Sequence, residues 1–453
     1  MKRVLIFLCT VLIIMTNLTV MPYAAYNSEL VSYAPDIFYL ANTDTDVAVF
    51  SKNAEKSAAP ASLVKIATAV LAIEFCENID AEVTVSKNAV ELLFGTGSSI
   101  AGLAAGEKIK MRDLLYLLLL SGANDAANVI AEYVAKDIPV FINLMNDFAK
   151  AIGCKNTNFT NAHGLDDFNQ KTTAYDMYLI LKHAIKIPLF REIVAVYERN
   201  VPATNKISRR TAYNRNPMIN IYSDYYYKYL GGGITGSTEL SGECFASFAQ
   251  KDGYTYICIA MKGDYRVINK SAEKRNTAYA ASREMYGWAF ENMRLKIVSD
   301  SARIIDEIEV KNGKDTSHVA LIPEKEVTAL VPISAELEGL SIVTDENSKP
   351  ESVTAPIKKG EVIAKANIYY SNTIVATVNL VALNDVERSE KKAVISMVKS
   401  LFTSKPFYAV LIIFALLFVI FLIAVYTFSK SKSERSRKSG SYRQKKPYTQ
   451  FKK

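Results

Sequence analysis

Pro60-Ala61-Ser62-Leu63-Val64-Lys65-Ile66-Ala67-Thr68-Ala69 sets a serine and a lysine three positions apart at the head of an apolar pattern running to Phe75. On a helix, positions i and i+3 share a face, so the Lys65 amine can reach the Ser62 hydroxyl. An amine held unprotonated beside a serine can take its proton and leave the oxygen nucleophilic. Backbone N–H groups of a first turn have no intrahelical partner, so the Ser62 amide can also donate to a developing oxyanion.

The tetrad alone decides nothing, because Ser-x-x-Lys also begins at Ser271, Ser389, Ser396 and Ser429. Position singles out Ser62. A strand pattern (Val47, Val49, Phe50) follows the Asp44–Asp46 turn, and Pro60 fixes the helix entry. The helix beyond, Ala67–Phe75, is apolar enough to be buried.

Further stretches extend the reading. Lys52-Asn53-Ala54-Glu55 precedes the serine; Gly106-Glu107, Asp113-Leu114-Leu115-Tyr116 and Asn124-Asp125-Ala126-Ala127 follow it. Then come Thr160–Asp167, Thr173-Ala174-Tyr175-Asp176 and Ala355–Glu361. In this order, over roughly residues 35–384, the chain resembles the serine D-alanyl-D-alanine carboxypeptidases. These are low-molecular-mass penicillin-binding proteins with a β-lactamase-type fold. The resemblance implies a catalytic domain with a helical subdomain, a small C-terminal β-domain, peptidoglycan stem peptides as substrate and β-lactams as covalent inhibitors. It requires no metal or organic cofactor.

Two of the three motifs expected by resemblance are altered. The second is Ser-x-Asn; aligning on Asn124 puts Gly122 at the serine position and Ser121 one residue earlier. A local shift of the turn would be needed to bring Ser121 into place. The Asn124 amide can bridge the lysine and the substrate backbone; the plainer reading of both residues is a loop between two helices. The third motif is Lys-Thr-Gly, and here Gly233-Ile234-Thr235-Gly236-Ser237 takes its place, with Ile234 at the lysine position. An isoleucine brings no charge to the substrate carboxylate, a loss of about 1.5–3 kcal/mol unless another cation serves, from the Arg209–Arg210 or Arg215 region. Thr235 keeps a hydroxyl, Gly236 permits close approach of substrate backbone, and by resemblance the Ser237 N–H is the second oxyanion donor. The plainer reading is a glycine-rich hairpin.

Other chemistries fit poorly. His163, His183 and His318 are scattered without a His-Glu-x-x-His pattern, so no metal site is expected. Gly97-Ser98-Ser99-Ile100-Ala101 lacks the closing glycine of a nucleophile elbow, and Gly231–Gly233 lacks the Lys-Ser/Thr ending of a phosphate loop. His163 reads as structural. Cys76, Cys154, Cys244 and Cys258 have no metal-type spacing, and the last two fall on apparent strands as buried thiols. Tyr225-Tyr226-Tyr227 either lines a substrate groove or packs in a half-buried strand.

The ends suggest membrane topology. Lys2 and Arg3 precede an apolar run, Val4–Ile14, with Ala24 and Ala25 behind it, which reads as a signal peptide or an uncleaved anchor. Phe407–Phe428 is a second uncharged run, long enough to cross a ~30 Å hydrocarbon layer. Ten basic residues follow it against the single acid Glu434, so the tail is expected in the cytoplasm and the body outside. That tail outweighs the whole chain's formal net charge of +8 and leaves the rest slightly acidic, which removes any case for a nucleic-acid partner. Val394, Met397, Val398 and Leu401 among lysines read as an amphipathic juxtamembrane segment.

The fold class read from these patterns is α+β. The expected organisation is a signal peptide at 1–25, a β-lactamase/transpeptidase-like domain at 30–295 and a β-domain at 297–384. A stalk at 385–406, a transmembrane helix at 407–428 and a basic tail at 429–453 follow. The functional expectation is a membrane-anchored D,D-carboxypeptidase with Ser62, Lys65, Asn124 and Ser121 as catalytic residues and Ile234–Ser237 binding substrate. The alternative is a degenerate homologue that serves as a peptidoglycan- or partner-binding scaffold.

Overall fold

The computed structural model describes residues 32–268, 273–336, 339–371, 373–403 and 405–440. The signal-peptide reading at 1–25 lies outside them. Alternating apolar residues build a five-stranded antiparallel sheet from β1 (Ile37–Asn42), β2 (Ala48–Lys52), β3 (Leu230–Thr238), β4 (Gly242–Lys251) and β5 (Tyr254–Gly263), in the order β2-β1-β5-β4-β3. The sheet is therefore closed in sequence by segments almost two hundred residues apart, and β3 is left at an edge. That edge is where the third motif sits.

Between β2 and β3 lies the helical block: α1 (Lys65–Phe75), α2 (Lys87–Glu91), α3 (Met111–Leu119), α4 (Asn124–Ala135), α5 (Ile138–Ala151), α6 (Ala174–Ala184) and α7 (Pro188–Val194). Apolar residues of α1, α3, α4 and α6 pack with Tyr39, Ile234, Ala246 and Ile259 from one face of the sheet in one core. The opposite face carries Phe38, Leu40, Phe245 and Tyr256 and packs on α8 (Thr277–Asn292), with Ala281, Met285 and Tyr286 inward. Alternation along each strand thus feeds two separate cores. Asn276 starts α8 by accepting from the N–H groups of Ala278 and Tyr279 with its side chain, the cap its short polar group favours.

The later strands Asp306–Lys311, His318–Pro323, Leu340–Thr344, Ser352–Thr354, Val362–Tyr370 and Thr373–Ala382 form a six-stranded sheet, and Val327–Pro332 pairs with Met293–Ser299. The chain makes two compact units whose boundary runs through this β region. One holds everything to Arg303 with Pro323–Asp345 and Ala364–Asn379; the other holds Ile304–Ile322, Glu346–Ile363 and the chain from Leu380. Helix α9 spans Glu390–Thr403 and α10 spans Lys405–Gly440. Of α10, the 24 residues Lys405–Phe428 are long and apolar enough to cross a membrane, at about 36 Å of helix. The helix outlasts the 407–428 span read from sequence, continuing into the basic segment to Gly440.

Tyr225, Tyr226 and Tyr227 do not lie in a strand. Tyr225 ends a turn and Tyr226 and Tyr227 lie in irregular backbone before the next one, which rules out the half-buried strand reading.

Candidate active site

The nucleophile turn is held from two sides. Ala61–Val64 forms a single 3₁₀ turn before α1, and Ala61 stands at φ 49°, a left-handed conformation that costs a non-glycine residue about 1–2 kcal/mol. Gly164 explains why the turn tolerates it. A Cβ there would stand 2.0 Å from the Ala61 carbonyl oxygen, so only glycine lets the 160–167 loop clamp that backbone. From the sheet side, a Cβ at Gly236 would meet the Ser62 nitrogen at 2.6 Å. The glycine of the third motif thus sets how closely β3 approaches the nucleophile.

Lys65 Nζ lies 2.8 Å from Ser62 Oγ and donates to the His163 carbonyl at 2.5 Å. Its side chain is only 1% exposed. Burial, then the nearby Arg215 charge, lower its pKa to about 7, against a partial opposing effect of Asp125. A substantial neutral fraction near pH 7 is what a proton acceptor for Ser62 needs. The His163 ring accepts from the Leu165 N–H, and burial followed by the Lys65 charge lowers its pKa to about 3. The imidazole stays neutral and serves the loop, as its structural reading implied.

At the second motif, Asn124 is 5% exposed at the head of α4, and its N–H donates to the Ser99 carbonyl. Next to it, the Asp125 carboxylate accepts from the N–H groups of Ala101 and Leu103, tying the 99–103 loop to the helix. Gly122, at φ 68°, lines the cavity that also holds Ser62 and Lys65. Neither Ser121 nor Asn124 is among the lining residues, and the Ser121 carbonyl accepts from the Ser99 hydroxyl at 3.2 Å. Gly122, and not Ser121, is the residue of this turn on the cavity.

Arg215 takes up that space. A Cβ at Gly122 would stand 3.3 Å from Arg215 Nη1, so the guanidinium lies where a second-motif side chain would reach. Its backbone N–H donates to the Leu120 carbonyl, and Asn214 fixes the preceding turn by donating to the Val196 carbonyl at 2.9 Å. Ile234 lines the same cavity yet is 3% exposed and belongs to the core facing the helical block. The enclosed space is small, about 10 Å³. Thr235 also lines it, while its hydroxyl bonds the Tyr279 hydroxyl from the other side of the sheet. Ser237 is exposed, and its hydroxyl donates to Glu243 at 2.7 Å. Among the described residues no three His, Cys, Asp or Glu side chains are placed to hold a metal.

Sequence reasoning passed over the His163 carbonyl, the strained Ala61 and Tyr279. Nothing short of the tertiary approach of β3 and the 160–167 loop to Ser62 reveals them.

A serine and a depressed lysine at the edge of an antiparallel sheet, under a helical block, define a serine-type acyl-transfer hydrolase. The chain belongs to the D-alanyl-D-alanine carboxypeptidase family, whose model matches residues 28–264; residues 295–388 match the C-terminal domain of penicillin-binding protein 5. It is 25% identical over 350 residues to D-alanyl-D-alanine carboxypeptidase DacF of Bacillus subtilis, covering 77% of this chain and 85% of that one. Against D-alanyl-D-alanine carboxypeptidase DacC of Escherichia coli it is 27% identical over 359 residues, covering 74% and 80%. Penicillin-binding protein 5 of Haemophilus influenzae shares the fold, with a TM-score of 0.63 and 24% identity over 79% of this chain and 99% of that one.

Proposed function

We propose that Ser62 is the acylated nucleophile and that this chain trims D-alanine from peptidoglycan stem peptides despite its altered motifs. The observation that carries the reading is the 2.8 Å contact between Ser62 Oγ and a buried lysine amine whose pKa is lowered to about 7. Ser62 Oγ attacks the carbonyl carbon of the penultimate D-Ala while Lys65 takes the hydroxyl proton. The resulting oxyanion accepts from the N–H groups of Ser62 and Ser237. The C–N bond breaks, D-Ala departs with a proton, and water later cleaves the acyl ester on Ser62. Asn124 positions Lys65 and the substrate amide, and Thr235 lines the cavity with its hydroxyl held by Tyr279. Positive charge comes from Arg215, since Ile234 has none to give. Within this reading the scaffold alternative has no observation of its own in its favour.

The domain limits and the orientation belong to the same proposal: an extracytoplasmic body at 30–295 and 297–384, a stalk at 385–406, and the basic residues after Phe428 in the cytoplasm. The test is release of D-Ala from a D-Ala-D-Ala pentapeptide together with labelling by a fluorescent penicillin. Ser62→Ala should abolish both and leave the melting curve in place. A wild type that neither releases D-Ala nor takes the label would favour the scaffold.

A further inference from the structure

A second cavity of the catalytic unit lies away from Ser62. It is an open groove of about 900 Å³ walled by Tyr33, Tyr225, Tyr226, Tyr227 and Trp288, within the size range of ligand sites. Tyr227 stacks on Tyr286 and Tyr225 meets Tyr279 edge-on at 5.3 Å, so those rings are committed to the fold. Tyr226 and Trp288 are half-buried and contact no other ring among the described residues. Trp288 packs in part against the second core, and Tyr226, which does not, gives the groove its less committed ring.

The polar rim is balanced. Asp224, Glu284 and Glu291 face Lys228, Arg275 and Arg283, so the groove has no net formal charge. Arg275 pairs with Asp224 at 3.2 Å, Arg283 donates to the Asp224 carbonyl at 2.6 Å, and Tyr33 bonds Glu284. Planar donors and acceptors fixed beside these aromatic rings suit a neutral, hydroxyl- and amide-bearing ligand whose C–H faces stack on rings. An anionic surface would call for surplus positive charge, which the described lining residues do not supply.

The groove is also wired to the reaction strand. Tyr225 OH accepts from the Asn276 N–H at 2.8 Å, Asn276 Nδ2 donates to Glu243 at 2.7 Å, and the other Glu243 oxygen holds the Ser237 hydroxyl. In parallel, Tyr279 touches Tyr225 by its ring and Thr235 by its hydroxyl. Ligand held in the groove thus lies against the groups that position Thr235 and Ser237.

We propose that this groove binds the glycan strand that carries the stem peptide; the proposal rests on the carboxypeptidase reading above. The sugar backbone is uncharged where the peptide is amide-linked to it, matching the balanced rim. Holding the polymer there would raise the effective concentration of its peptides at Ser62.

Trp288 is the single tryptophan of the chain, so its emission reports on the groove directly. Full-length protein in detergent is titrated with N-acetylglucosamine tetramer. A saturable shift in Trp288 emission is expected, weakened at least fivefold in Tyr226→Ala and restored in Tyr226→Phe. In the activity arm, Tyr226→Ala should release D-Ala from free pentapeptide within twofold of wild type. On uncrosslinked glycan strands bearing pentapeptides its KM should rise five- to tenfold. No emission change up to about 10 mM sugar, a response only to anionic lipid vesicles, or equal losses on both substrates would overturn the proposal. Failure of the wild type on both substrates would instead sink the carboxypeptidase reading, while the Trp288 titration would still decide the groove.

Discussion

Replacing Ile234 by lysine looks, from motif comparison, like a repair, and the structure says it is a lesion. The gain on offer is one charge-assisted contact to the substrate carboxylate, about 1.5–3 kcal/mol, or roughly ten- to hundredfold in kcat/KM. Against it stands a side chain that is 3% exposed and packed in the core facing the helical block. Holding a lysine neutral there at pH 7 costs about 5 kcal/mol, at about 1.4 kcal/mol for each unit below its ordinary pKa. Lost apolar burial adds about 1–2 kcal/mol. Lys65 tolerates burial because Ser62 Oγ and the His163 carbonyl accept its hydrogen bonds. A lysine at 234 finds Gly122 where a hydroxyl would have served it, and Arg215 already charges the same cavity. Ile234→Lys should therefore lower Tm by about 10–25 °C and give no gain in D-Ala release. Ile234→Val should fold and stay active, and Arg215→Ala added to Ile234→Lys should recover part of the stability by removing the competing cation. The measurements are thermal unfolding and D-Ala release across the four proteins. A folded Ile234→Lys protein melting within a few degrees of wild type, with tenfold higher kcat/KM, would refute the burial argument.

Acylation should follow the neutral fraction of Lys65: kcat/KM for penicillin acylation is expected to rise about tenfold per pH unit from pH 5 and level off above about 7, and a flat profile would remove Lys65 as the base. The same depressed pKa makes the unfolded chain bind more protons between about pH 7 and 10.5, so the destabilising contribution of Lys65 is full below that window and fades as pH rises through it. Lys65→Met should accordingly gain most Tm over wild type near pH 6 and least near pH 10. Gly236→Ala, with a Cβ 2.6 Å from the Ser62 nitrogen, should cut acylation at least a hundredfold for a stability loss of about 1–3 kcal/mol, read by penicillin labelling and melting curves. Protease added outside intact cells should digest the body and spare the segment after Phe428; the reverse pattern would reject the orientation.

Local pattern carried much of the fold. The apolar periods of Met111–Leu119 and Thr277–Asn292 and the alternation of Tyr254–Gly263 are set within each segment, so the elements could be read from their own residues. The edge position of β3 and its approach to Ser62 depend on pairing between distant segments, which no window of sequence contains. The tyrosine cluster failed for a related reason: Tyr225–Tyr227 has strand-forming residues, but Asn220, Ser223 and Asp224 drive turns there. In the site, Ser62 and Lys65 were legible because three positions on a helix fix their contact. Arg215 was legible only as one cation among several in its region. Its place against Gly122 depends on the Leu120 carbonyl that holds its backbone.

Gly122, Arg215 and Ile234 are best understood together. In the family pattern a serine and a lysine occupy the first and last of these positions. Restoring the serine alone would press a Cβ to 3.3 Å from Arg215 Nη1 at a φ of 68°, and restoring the lysine alone would bury a cation without a partner. Each single reversion meets the adaptation made for the other. With glycine at 122 the guanidinium has room, and with isoleucine at 234 it faces no competing charge as it depresses Lys65. Under the proposed mechanism the cation of the site is the Arg215 side chain, which lowers the Lys65 pKa. In that mechanism the site departs from the motifs at two positions and keeps a positive charge beside the Ser62–Lys65 pair.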